Sequence, residues 1–123
     1  MPVRSLSSSV LKWPDAEIVD RAVRRWAHEE GRDRSEVIRI GYFGSYARVD
    51  WGVGSDLDLV VVVEASGEPF WRRPARWDVT KLPVPADLIV YTRAEWHSLD
   101  QHTQMYRTLT GETVWVYSRE DER

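Results

Sequence analysis

Cysteine is absent from all 123 residues, and that removes disulfides, zinc–thiolate sites and thiol nucleophiles together. Histidine is scarce: His28, His97 and His102 are the only three, and they lack metal-ligand spacing on one helical face, so they read as structural or surface residues. Lysine is nearly missing, with Lys12 and Lys81 among 17 basic residues, a bias that codon composition explains as readily as a need for guanidinium groups. No apolar run approaches the roughly 18 residues of a membrane span. The opening MPVRSLSSSVLKWP lacks the apolar block of a signal peptide, and the expectation is a soluble cytoplasmic protein with no membrane partner. Nor is there an excess of positive charge. The formal net charge is -3, which gives no footprint for nonspecific nucleic-acid binding, so any nucleotide has to be held by local chemistry.

With 42% apolar residues, a chain of this length can bury one modest core, and a single domain over 1–123 is expected, with a core over about 15–110 and short polar tails. Asp15 opens a helix in which Ile18, Val19, Ala22, Val23 and Trp26 recur at spacings of three and four, ending near Gly31. Val37 to Phe43 alternates and is rich in β-branched and aromatic residues, the pattern of a strand that Gly44 breaks. Ser45 to Asp50 suits a short helical turn. DLDLVVVVE follows as a second strand, and its apolar run from Leu59 to Val63 suits a central position covered on both faces.

Residues 65–86 hold four of the six prolines and read as an irregular excursion with a short strand or turn near Trp77. A third strand spans about Asp87 to Tyr91. Thr92 and Glu95 form a capping box that opens a helix through Trp96 and Leu99 toward Leu109. Gly111 ends it, and TVWVYS is a last strand. The order predicts an α/β (α+β) domain with a mixed β-sheet and flanking helices. Of seven tryptophans, Trp51, Trp71 and Trp77 fall in predicted loops, where they either stack on a base or cap a small core. An exposed tryptophan would also offer a small chain a surface for a homodimer.

The chemistry concentrates between residues 44 and 58. Asp56 and Asp58 stand two apart at the start of a strand, so their side chains point to one face about 7 Å apart at the backbone. Paired carboxylates repel, which raises one pKa or requires a cation between them, and oxygen-only donors suit Mg²⁺ or Mn²⁺. Asp87 opens the next strand in the same manner and can join them as a third acid. Upstream, Gly44 and Ser45 sit where a strand meets a helical turn, a place where backbone N–H groups and a hydroxyl meet a phosphate. The stretch is neither a P-loop nor a dinucleotide fingerprint, since G-x-x-x-x-G-K-[ST] and the third glycine are both missing. Each residue also has an ordinary reading. Ser45 can be a helix N-cap, Asp56 a turn residue, Asp58 an acid on the solvent side of an edge strand, and Asp87 a turn acid before a strand.

Gly44-Ser45, ten residues, Asp56-Leu57-Asp58-Leu59 with an apolar strand, and then Asp87 together resemble the nucleotidyltransferase superfamily that includes DNA polymerase β. The GSYAR…SDLDL wording is similar to its minimal nucleotidyltransferase branch. The resemblance implies that Gly44 and Ser45 hold the β- and γ-phosphates of a nucleoside triphosphate, ATP being the first expectation. It implies that Asp56, Asp58 and Asp87 ligate two Mg²⁺ ions and that a nucleoside monophosphate is transferred to a hydroxyl. Arg48 matches the arginine of Gly-Ser-x-Ala-Arg and has two readings, a phosphate contact and a surface salt bridge. Val49-Asp50-Trp51 stand where relatives usually continue with glycine, so the loop departs from the family pattern. Minimal members often work beside a helical HEPN partner in toxin–antitoxin pairs, which adds a second expectation: an antitoxin-like module that masks or adenylylates such a partner.

Overall fold

In the computed structural model, residues 14–119 are described apart from Val49 and Val53. The expected polar tails lie largely outside them. The Asp15 side chain accepts a hydrogen bond from the Ile18 N–H at 2.9 Å and starts helix α1, Ala16–Asp33. This helix runs past Gly31, whose lack of a side chain lets the Tyr117 ring lie directly against it. Strand β1 spans Val37–Phe43, a one-turn helix α2 spans Ser45–Arg48, and strand β2 spans Leu57–Val63. After a 3-10 segment at Phe70–Arg76 come β3 (Ala86–Thr92), α3 (Arg93–His97), α4 (Gln104–Gly111) and β4 (Val114–Ser118).

The sheet order is β3-β2-β1-β4. β1 is antiparallel to β2 and β4, while β2 and β3 run parallel. The mixed sheet with flanking helices is therefore the fold expected from the sequence. β2 is an interior strand, and its apolar run is buried on both faces because alternate residues serve different cores. Leu57, Leu59, Val61 and Val63 pack with Val19, Val23 and Trp26 of α1. Val60 packs on the opposite face with Phe43 and Leu109. Each such side chain contributes about 1.5–3 kcal/mol when fully buried.

One expectation needs correction, and an open one is decided. The helix expected from Thr92 toward Leu109 is two helices, because local side chains end one and start the other. The Thr92–Glu95 capping box forms as expected, yet α3 closes at Ser98, whose N–H bonds back to the Ala94 and Glu95 carbonyls. Asp100 Oδ1 then accepts from the His102 N–H, and the Thr103 hydroxyl accepts from the Tyr106 N–H to cap α4. Apolar spacing continues through the break, which is why periodicity alone joins the two. The excursion also carries a 3-10 turn ahead of Trp77 rather than a strand. Trp77 packs 6.1 Å from Trp26, whose ring N–H donates to the Asp78 carbonyl at 2.9 Å.

Arg73 holds the excursion to the sheet. It is buried, donates to the Val90 carbonyl at 3.0 Å and forms a two-pronged pair with Glu95 at 2.6 and 3.0 Å. The hydrogen bond from Arg73 holds the Glu95 carboxyl below its ordinary value. The resulting stability is fully present above the unfolded value near 4.5 and is lost as pH falls through the lower folded value. Arg73→Met should lower stability in urea by about 2–3 kcal/mol, less than for a wholly buried pair because the Glu95 side chain is 40% exposed. The same variant should lose this part of the acid dependence below about pH 4.5, which repeating the urea titration across pH will measure.

Candidate active site

Because β1 is antiparallel to β2 and β3 is parallel to it, the end of β1 and the starts of β2 and β3 meet at one edge of the sheet. The register makes Phe43 the partner of Asp58 and Asp58 the partner of Asp87. Partners in register face the same way, and neighbouring strands stand about 4.8 Å apart, so Asp58 and Asp87 lie side by side in one row. Asp56 precedes β2 by one residue, at an exposed position. The Leu57 N–H donates to the Pro85 carbonyl at 2.9 Å, which locks the approaches to β2 and β3 together.

Asp58 is half-buried, and burial pushes its carboxyl above the ordinary value. The charges of Asp87 and then Asp56 push it further, and Arg48 offsets part of the rise. Among the described residues none of the three carboxylates accepts a hydrogen bond or joins an ion pair. That sets them apart from Asp20, Glu64, Glu68 and Glu95, each held by an arginine. Nor do three Asp, Glu or His side chains among the described residues already enclose a single point where an ion could sit. The acids are gathered closely enough to act on one another, but they do not form a closed cage.

The turn beside them requires glycine for two reasons. Gly44 has φ +82°, in the region that disfavours side chains, and a Cβ there would run into Oδ2 of Asp58. Ser45 is the first residue of α2, and its half-buried hydroxyl has no hydrogen-bond partner among the described residues. The N-cap reading of Ser45 therefore fails. The turn reading belongs to Ser55, whose hydroxyl accepts from the Gly52 N–H at 2.7 Å, and the edge-strand reading of Asp58 fails because β2 is interior. Arg48 bonds Asp50 at 3.1 Å and Glu112 at 3.2 Å, so its salt-bridge reading holds while its side chain still lines the cleft.

That cleft has a volume of about 600 Å³ and is lined by Phe43, Gly44, Ser45, Arg48, Asp56, Asp58, Gln104, Met105 and Thr108. Asp87 stands beside it, outside the lining. The sequence offered no signal for Gln104, Met105 and Thr108, because they reach the cleft only through the break that starts α4. Glu112 as a partner of Arg48 was equally hidden, 64 residues away. Of the loop tryptophans, Trp77 caps the core, and Trp51 stacks on Tyr46 with centroids 5.8 Å apart. Trp71 is 75% exposed. A smaller cavity of about 210 Å³ lies toward the other end of the sheet. Its Arg34, Arg73 and Arg76 are all engaged by protein acids, so that cavity has no free cation for a ligand.

The chain belongs to the nucleotidyltransferase domain family, whose model matches residues 24–115. Its fold is similar to that of a candidate nucleotidyltransferase from Sulfolobus solfataricus, with TM-score 0.61, 18% identity and 86% of each chain covered. A toxin–antitoxin structure with AMP-PNP has TM-score 0.57 at 16% identity, covering 79% of this chain and 74% of that one. A mutant of the toxin–antitoxin MntA–HpeT, with two aspartates changed to glutamate, has TM-score 0.54 at 14% identity over the same shares. No curated protein matches by sequence. Among the described residues no helix is long and apolar enough to cross a membrane.

Stability measurements test the geometry without any substrate. A carboxyl raised on folding contributes stability that is fully present below its unfolded value and is lost as pH rises through its folded value. Charged Asp58 is therefore destabilising at neutral pH, and Asp58→Asn should raise the Tm at pH 7 but leave it unchanged near pH 3. Gly44→Ala should lower stability by about 1–2 kcal/mol or more. Gly52→Ala, which meets open space, should stay within about 0.5 kcal/mol of the parent.

Proposed function

We propose that this chain transfers a nucleoside monophosphate, AMP from ATP, to a hydroxyl of a protein or small-molecule acceptor in a reaction that needs a divalent metal. The observation that carries this reading is Asp58: half-buried, unpartnered among the described residues, in a row with Asp87, its carboxyl raised by burial and then by the charges of Asp87 and Asp56, and set against the glycine of a turn whose serine hydroxyl has no partner among the described residues. Uncompensated burial of a carboxylate is destabilising, and a site that retains it is arranged for a positive ligand.

The donor set fits a hard cation, because the acids supply only oxygen and cysteine is absent. Asp56, Asp58 and Asp87 would hold Mg²⁺, two ions being the number that the resemblance implies. Such ions, when bound, lower the pKa of an attacking hydroxyl and neutralise a leaving pyrophosphate. Gly44 and Ser45 receive the β- and γ-phosphates through backbone N–H and hydroxyl, and Arg48 exchanges a protein carboxylate for phosphate oxygen. These contacts hold the α-phosphorus against the acids. The acceptor oxygen then bonds to the α-phosphorus as its bond to the α–β bridging oxygen breaks, pyrophosphate leaves with that oxygen, and the hydroxyl proton passes to solvent water.

Two similar structures support this reading. One was solved with AMP-PNP, an analogue of ATP. The other carries glutamate in place of two aspartates two positions apart, the spacing of Asp56 and Asp58. Both are toxin–antitoxin structures, which favours a second reading: an antitoxin-like module that neutralises a helical HEPN-type partner by masking or by adenylylation. The exposed Phe70 and Trp71 on the excursion suit such a contact or a homodimer.

Labelled ATP with Mg²⁺ and a candidate acceptor should yield pyrophosphate and labelled acceptor. Asp58→Asn should slow this by more than about 10²-fold, since losing even an outer partner of a metal site costs 10–100-fold. Undiminished turnover in that variant would overturn the mechanism. If the partner protein copurifies and Asp56→Ala still neutralises it, masking rather than transfer is the function.

A further inference from the structure

We infer that the α4 wall of the cleft, centred on Met105, takes the nucleoside of the bound nucleotide by apolar contact and reads its size rather than its hydrogen-bonding edge. The inference rests on the transfer reading above and adds what that reading leaves open, the seat of the sugar and base. One continuous cleft is lined by Gly44, Ser45, Asp56 and Asp58 and also by Gln104, Met105 and Thr108 of α4. A volume of about 600 Å³ lies within the range of roughly 300–1,000 Å³ that encloses ligands of nucleotide size. A molecule that sets its phosphates on the glycine-serine turn and stays within this cleft has the α4 residues as the lining left for its remaining part.

Met105 is available for that contact. It is 43% exposed, whereas Leu109 of the same helix is fully buried in the core of that sheet face. Met105 takes no part in that core cluster, so its thioether is free for another surface, and sulfur packs well against aromatic rings. Phe43, buried at the end of β1, adds an apolar floor. The polar groups beside it do not form a fixed reading frame. The Gln104 side chain donates to the Thr108 hydroxyl at 3.4 Å and accepts from Arg107 at 3.5 Å, both long and exposed bonds. A flexible amide offers a donor or an acceptor to either purine, and an apolar wall discriminates weakly between similar shapes.

Calorimetry with Mg²⁺, using AMP-PNP and inorganic tripolyphosphate as separate probes, tests the assignment. Met105→Ala should weaken AMP-PNP by roughly fivefold to tenfold, the loss expected for a partly buried side chain, and leave tripolyphosphate unchanged. Met105→Leu should restore most of the affinity, and Ile18→Ala, an exposed change on α1, should alter neither probe. GMP-PNP should bind within about tenfold of AMP-PNP. If the parent chain binds both probes and Met105→Ala binds AMP-PNP as tightly, or if GMP-PNP is rejected more strongly, the nucleoside seat is misplaced while the transfer reading stands. If the parent chain takes up neither probe, both fall.

Discussion

The pairing of β2 with its two neighbours is the constraint on which the site depends. Asp58 is placed by the ladder on both sides, opposite Phe43 in one direction and Asp87 in the other. A slip of one residue in either ladder would turn Asp58 toward α1 and bring Leu57 or Leu59 to the cleft. That slip is opposed by the apolar run of β2, because Leu57, Leu59 and Val61 are completely buried against α1. Hydrophobic burial thus sets the position of the charged groups, and the geometry of the cleft is a by-product of core packing at the end of the strand.

Against that rigidity stands an electrostatic cost. Elsewhere several acids are satisfied: Asp20 is held by Arg24 and Tyr42, Glu64 by Arg93 and Arg119, and Glu95 by Arg73. At the cleft the one basic residue of the lining among the described residues is partly committed, since Arg48 already bonds Asp50 and Glu112. Mutual repulsion is therefore left standing where a positively charged ligand can relieve it. A fold that pairs these acids and leaves the cleft acids without a partner among the described residues is locally frustrated in the manner of a working site.

The excursion and the two short helices complete the picture from opposite sides of the sheet. Trp77, Leu82 and Val84 of the excursion join the α1 core, and Arg73 ties the segment to β3. On the other face, Trp96 and Trp115 pack 5.6 Å apart with the Arg39 guanidinium over both rings. That layer carries α4 to the mouth of the cleft and gives the site its second wall.

Local pattern by itself determined the strands, the capped start of α1, the Thr92 capping box, and the placing of Asp56, Asp58 and Gly44-Ser45 at one strand-turn-strand unit. Those features were legible because alternation, capping and turn chemistry act over a few residues. The family too was legible, because its motif is nearly contiguous. What only the tertiary structure decided was which distant residues meet and how: the register that sets the expected third acid, Asp87, directly beside Asp58, the entry of Met105 and Gln104 into the cleft of Asp58, and Glu112 on Arg48. No short-range rule specifies those encounters. They follow from strand order and from the way two cores close around one sheet, and both are properties of the whole chain.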